Sequence, residues 1–190
     1  MKSILLLAVI FVGIHGLSSQ ELSYKEALKK CRERNEIPYD PKCVIGLEAP
    51  NFIGLTIEKE AMELAQLHGQ VVVLYFFYNS CGDPCLKQIP ALNEVVKKYR
   101  FRDVQFLALA DDPENVVFEE FLPTNEFWFK IIPDANEIIW QIFEQPFGLP
   151  ALFVIDRQGK IAYLKSGGPI VAEAIQENMT ELIEAIENCL

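Results

Sequence analysis

The run VVVLYFF, Val71 to Phe77, constrains the fold more than any other part of the chain. It is an unbroken series of β-forming residues, so it cannot present one face to water, and it reads as a strand buried on both faces of a sheet. Just beyond it lies NSCGDPCLKQIP, Asn79 to Pro90, with two cysteines, Cys81 and Cys85, separated by three residues. Further on, Ile89, Leu92, Val95, Val96 and Tyr99 recur at helical spacing, with Pro90 expected to kink the helix.

The rest of the chain alternates in the same way. APNFIGLT reads as a short extended piece, and IEKEAMELAQLHG as a helix ended by Gly69. DVQFLALA is a strand, and DDPENVVFEEFL starts a helix with Pro113 near its first turn. FWFKIIPD and ANEIIWQIFEQ continue with a strand and a helix, which places Trp128 and Trp140 in segments that read as core. ALFVID and IAYLKSG form two strands joined around Gly159. The closing helix, from Ile170 to Leu190, carries Ile175, Met179, Leu182, Ile183 and Ile186 on one face. This pattern predicts an α/β sandwich with helices flanking a central sheet.

The first residues, MKSILLLAVIFVGIHGLSSQ, place a lysine before an apolar run and small polar residues after it. That is the layout of a secretory signal peptide, and the apolar run is too short to span a bilayer comfortably. The chain therefore divides into a signal peptide over 1–19, a charged N-terminal lead-in over 20–45 and one domain over 46–190. The alternative is an uncleaved anchor. Export to the periplasm or the exterior would let disulfides persist among Cys31, Cys43, Cys81, Cys85 and Cys189. Cys31 and Cys43 flank a loop with Pro38 and Pro41, and they are either paired or separate thiols. A net charge of −10 argues against nucleic acid or an anionic membrane surface as a main partner.

A cysteine placed where a buried strand gives way to a helix meets unpaired N–H groups and the positive end of the helix dipole, which stabilise a thiolate. Cys81 occupies that junction, and Cys85 is close enough to attack a mixed disulfide formed by Cys81. On a regular helix, residues four apart lie about 6 Å from each other, within the reach of a disulfide. Asp83 reads as the helix N-cap with Pro84 at the first helical position. This leaves Cys81 outside the helix beside a carboxylate, and so less acidic than in the two-residue spacing. A static disulfide or two bystander thiols would fit the same residues.

APNF, GQVVVLYFF, PCLKQIP, VQFLALADD, GLPALFVIDRQGKI and KSGG together resemble the thioredoxin-like fold, and specifically exported thiol-disulfide oxidoreductases of the TlpA and ResA type. The resemblance covers most of the chain from about Gly46 onward. It implies a three-layer sandwich around a central mixed sheet, no cofactor, and protein thiols or disulfides as substrates together with a redox partner. It implies that Cys81 is the nucleophile and Cys85 the resolving thiol, and that Pro150 is a cis-proline with Leu149 offering its backbone to a peptide. The family often has a tryptophan where Ser80 stands and an acidic residue where Gln88 stands, while Tyr75 takes the strand position of a buried aspartate in thioredoxins. Slow or specialised exchange is expected, with Asp83, Pro84 and Gln88 as modulators. Three other readings are a non-catalytic binding module, a thiol peroxidase suggested by NSCG, and a copper-binding relative. The last has no suitably placed histidine, since His15 is in the signal peptide and His68 precedes the central strand.

Overall fold

The computed structural model describes residues 19–33, 41–145 and 148–190. Residues 1–18 of the expected signal peptide fall outside the described residues. Helix α1 is Ser19–Glu33, followed by the short strands β1, Ile53–Leu55, and β2, Ala61–Glu63. Strand β3 is Val71–Phe77, helix α2 is Asp83–Leu86, helix α3 is Ile89–Tyr99, and strand β4 is Val104–Ala110. Helix α4 is Glu114–Val116, and strands β5, β6 and β7 are Lys130–Ile132, Ala151–Ile155 and Ile161–Ser166. Helix α5, Ala172–Cys189, closes the chain.

Among the described residues the main sheet has five strands in the order β5-β4-β3-β6-β7. Strand β3 pairs parallel with β4 and antiparallel with β6, so the sheet is mixed and its most apolar strand has neighbours on both edges. Side chains alternate across that strand. Val71, Val73, Tyr75 and Phe77 pack with Leu92 and Val95 of α3 and with Met179, Leu182 and Ile186 of α5. Val72, Leu74 and Phe76 face the opposite layer, with Phe52, Leu64, Ile139 and Phe143. Two separate apolar layers therefore explain why no polar residue interrupts the strand. A fully buried residue of this kind contributes roughly 1.5–3 kcal/mol.

The second layer includes α1. Its Tyr24 and Leu28 are fully buried, and the Tyr24 hydroxyl donates to the Phe143 carbonyl at 2.9 Å. Burial and the Glu144 carboxylate raise the Tyr24 pKa well above the ordinary phenol value, so the hydroxyl stays protonated as a donor. Cys43 is disulfide-bonded, whereas the side chain of Cys31 lies outside the described residues.

Some sequence expectations need correction. Residues 57–69 do not form a helix: β2 pairs antiparallel with β1, and a short 3-10 turn, Leu64–Leu67, follows. The Ile57 N–H donates to the Ile131 carbonyl at 2.9 Å, and Gly54 is so close to Ile132 that an added Cβ would meet its side chain at 2.7 Å. Docking against β5 thus overrides a local helical pattern. Pro90 does not kink one continuous helix; the chain breaks between α2 and α3, with Pro90 in the first turn of α3, where a missing N–H costs nothing. Trp128 and Trp140 are not core residues, being 43% and 44% exposed. Residues 135–145 wind mainly as a π-helical turn, Ile138–Ile142.

Candidate active site

The carboxyl end of β3 delivers the chain into a single 3-10 turn, Asn79–Cys81. Gly82 follows with φ 69°, a left-handed conformation that a side chain would strain. Helix α2 then begins at Asp83. The expected N-cap is therefore displaced by one residue: Gly82, not Asp83, caps the helix, and Pro84 is second in it. The Asp83 carboxylate turns along the helix surface to pair with Lys87 at 2.8 Å, the ordinary geometry of an i, i+4 pair.

Cys81 and Cys85 are joined in a disulfide with Cα atoms 5.7 Å apart, well inside the span such a bond accepts. The extra residue between them is absorbed at Gly82. Cys81 is partly exposed, while Cys85 is fully buried in the layer beneath α3. The Cys85 N–H donates to the Gly82 carbonyl at 3.0 Å, and its own carbonyl accepts the Tyr75 hydroxyl at 2.8 Å. Burial pushes the Tyr75 phenol far above its usual range, so Tyr75 acts here as a donor and not as a proton acceptor.

Gln88 is buried at 1% exposure. Its side-chain amide donates to the Pro84 carbonyl at 2.8 Å, and among the described residues its Oε1 has no partner. Gly168, in the link from β7 to α5, presses onto the same carbonyl, where a Cβ would lie 1.8 Å from the Pro84 oxygen. The Leu149–Pro150 peptide is cis. Because Ala151 stands opposite Phe76, Pro150 comes level with the end of β3 that leads to the cysteines. The Pro150 carbonyl accepts the Gly167 N–H at 2.8 Å, which ties this loop to the link carrying Gly168.

Other residues of the corner were not singled out from the sequence. The Asp112 carboxylate accepts the Asn79 N–H at 2.5 Å, and Glu120 accepts the Asn79 side-chain amide at 3.1 Å. The Asp111 N–H donates to the Phe77 carbonyl at 2.9 Å, and its carboxylate accepts the Trp140 indole N–H at 2.9 Å. The adjacent acids at the end of β4 were the available signal, but acidity alone does not say which N–H a carboxylate will reach. His68 lies before the amino end of β3, packed against Gly159, away from the cysteine corner. Among the described residues no group of three or more His, Cys, Asp or Glu side chains could hold a metal ion. Cys189 is a free, partly buried thiol at the end of α5, and burial raises its pKa.

A mixed sheet with a cysteine pair at the end of its central strand, one cysteine partly exposed and one buried, defines a thioredoxin-like redox fold. The chain belongs to the AhpC/TSA family, whose model matches residues 45–164. It is 32% identical to a thiol-disulfide oxidoreductase ResA of Bacillus cereus (strain ZK / E33L), over 76% of this chain and 80% of that protein. It is 30% identical to the ResA of Halalkalibacterium halodurans, over 73% of this chain and 77% of that protein. Among solved structures, StoA from Bacillus subtilis aligns with a TM-score of 0.54 at 25% identity, covering 68% of this chain and 96% of that one. A thiol:disulfide interchange protein of the thioredoxin family from Chlorobium tepidum TLS shares the fold with a TM-score of 0.56 at 24% identity, over 71% of this chain and 94% of that one.

Proposed function

We propose that the protein exchanges disulfides with protein substrates, with Cys81 as the attacking thiol and Cys85 as the resolving one. The observation that carries this reading is the asymmetry of the pair: a partly exposed Cys81 is bridged to a fully buried Cys85. A substrate disulfide can reach the first sulfur but not the second.

In the reducing direction, the Cys81 thiolate attacks one sulfur of the substrate disulfide, and the other substrate sulfur leaves as a thiolate and takes a proton. The Cys85 thiolate then attacks Cys81 in the mixed disulfide and expels the remaining substrate sulfur. The substrate has gained two electrons, and the protein is left with the Cys81–Cys85 bond. Run backward, the same steps oxidise a substrate dithiol. Leu149 and Pro150, at the cis peptide level with the end of β3, are the proposed backbone along which a peptide would lie. Gln88 holds the Pro84 carbonyl in the turn before Cys85, and Asp83 and Pro84 start its helix. The chemistry uses the chain's own sulfurs and needs no cofactor.

The test is reduction of a protein disulfide by the purified, pre-reduced protein, beside the Cys81→Ala and Cys85→Ala variants. Loss of the single round of substrate reduction is expected in both variants, with a trapped mixed disulfide at Cys81 only in Cys85→Ala. Equal activity in all three proteins would overturn the proposal, and peroxide consumption that depends on Cys81 without disulfide exchange would replace it with a peroxidase.

The site of action proposed is outside the cytoplasm, periplasmic or secreted, on the strength of the sequence of residues 1–19. Among the described residues no helix is long and apolar enough to cross a membrane. The mass of the mature protein recovered from its host checks this: an intact N-terminus on a cytoplasmic protein would contradict it.

A further inference from the structure

The turn that carries Cys81 is too short to hold itself. A single 3-10 turn has one internal hydrogen bond, here from the Cys81 N–H to the Tyr78 carbonyl at 3.2 Å, and its first N–H has no partner within the turn. No side chain of the preceding Tyr78 caps it, and the residue that follows Cys81 is the left-handed Gly82. Once the bond to Cys85 is open, such a segment left alone would sample several positions for the sulfur.

Two carboxylates from a distant part of the chain hold it. Asp112 accepts the Asn79 N–H at 2.5 Å, a short, charge-assisted contact of the stronger class. Glu120 accepts the Asn79 side-chain amide at 3.1 Å. The backbone bearing Asp112 is itself fixed on both sides. The Asp111 N–H donates to the Phe77 carbonyl and the Asp134 N–H to the Asp112 carbonyl, each at 2.9 Å. The start of the Cys81 turn is thus tied to the end of β4 and, through it, to the sheet.

We propose that Asp112 is a positioning residue for disulfide exchange: by accepting the Asn79 N–H it fixes the turn and hence the direction in which the Cys81 sulfur meets a substrate. This rests on the reading of Cys81 as the attacking thiol. In-line attack on a disulfide is sensitive to direction, and a misplacement of about 1 Å can cost as much as roughly a hundredfold in rate. The hydrogen bond and not the charge is the operative feature, so an amide oxygen at the same place should serve nearly as well.

The experiment compares Asp112→Ala, Asp112→Asn and Cys81→Ser with the wild type in steady-state reduction of one protein disulfide, with an excess of a small-molecule dithiol reducing the Cys81–Cys85 bond after each round, together with their melting temperatures. The expected result is a fall in kcat of about tenfold in Asp112→Ala, with KM within about twofold, and recovery to within about threefold of wild type in Asp112→Asn. Wild-type kcat in Asp112→Ala would overturn the proposal. Equal impairment in Asp112→Asn and Asp112→Ala would also overturn it, because charge would then be what matters. If Asp112→Ala does not fold, Asn79→Pro, which removes the donated N–H and leaves Asp112 in place, takes its role: a fall in kcat of about tenfold beside near-wild-type Asp112→Asn supports the hydrogen bond, and wild-type kcat in Asn79→Pro, or a fall of about tenfold in Asp112→Asn, refutes it. If Cys81→Ser turned over like wild type, the parent reading of Cys81 would fail, and this proposal with it.

Discussion

At the scale of single residues, the corner around Cys81 is built from groups whose chemistry depends on neighbours far away in the chain. Asp112 is the clearest case. Burial raises its pKa above the ordinary carboxylate value, the Asn79 N–H opposes that by favouring the ionised form, and the Asp111 and Glu120 charges add to the rise. A carboxylate whose folded pKa lies above its unfolded one contributes stability that is complete below the unfolded value and is lost as pH rises through the folded one. Relative to Asp112→Asn, the wild type should therefore lose stability as pH rises from the acid side through the carboxylate range, whatever slope the lowered carboxylates Glu181 and Glu187 give to both proteins. Melting temperatures of the two proteins across that range check this, and identical profiles would contradict it. The chemistry of Cys81 and Cys85 was legible in the sequence because it lies in one short segment. The partner of Asn79 was not, since a contact across 33 positions leaves no local pattern. The N-cap expectation at Asp83 erred because Asp83 pairs with Lys87 while Gly82 supplies the backbone turn.

At the scale of elements, β3, β4, β6, β7 and α5 were readable because each buries a face wide enough to impose its period on the sequence. Strand β1 was readable as an extended piece, but β2 was not. The residues of β2 lie in a helix-like pattern, and pairing with β1, whose Gly54 packs on Ile132 of β5, selects the extended form. The two tryptophans misled for a related reason, since an indole can sit at the surface with its N–H satisfied. That of Trp128 donates to Glu126 at 3.0 Å and that of Trp140 to Asp111. The contact of the β7–α5 link with α2 yields a prediction. A methyl group at Gly168 would collide with the backbone oxygen of Pro84, which cannot swing aside as a side chain can. Gly168→Ala should cost about 1–3 kcal/mol in denaturant unfolding, the usual range for overpacking, and should slow exchange by displacing the helix of Cys85. Unchanged stability would show that the link is free to retreat.

At the scale of the whole molecule, the sheet separates two apolar layers, and the helices that cover them come from opposite ends of the described chain. Helix α5 covers one and α1 contributes to the other. Tyr24 fills its layer through an edge-on contact with Phe143, ring centroids 6.1 Å apart, and through its hydrogen bond to the Phe143 carbonyl. Tyr24→Ala should destabilise the protein by about 3–5 kcal/mol, as other large aromatic truncations in cores do. Chemical denaturation measures it, and a loss below about 1 kcal/mol would mean that α1 is an accessory to the fold and not a part of it.

Gly82 gives the unusual spacing a meaning for protein engineering. The additional residue is accommodated at one left-handed backbone position, leaving the strand before it and the helix after it regular. Its neighbours Asn79 and Pro84, however, are each held by residues from elsewhere in the chain. The five-residue loop CGDPC is therefore not a transplantable cassette: moved into a related scaffold without Asp112, Gln88 and Gly168, it would keep its cysteines and lose the frame that aims them.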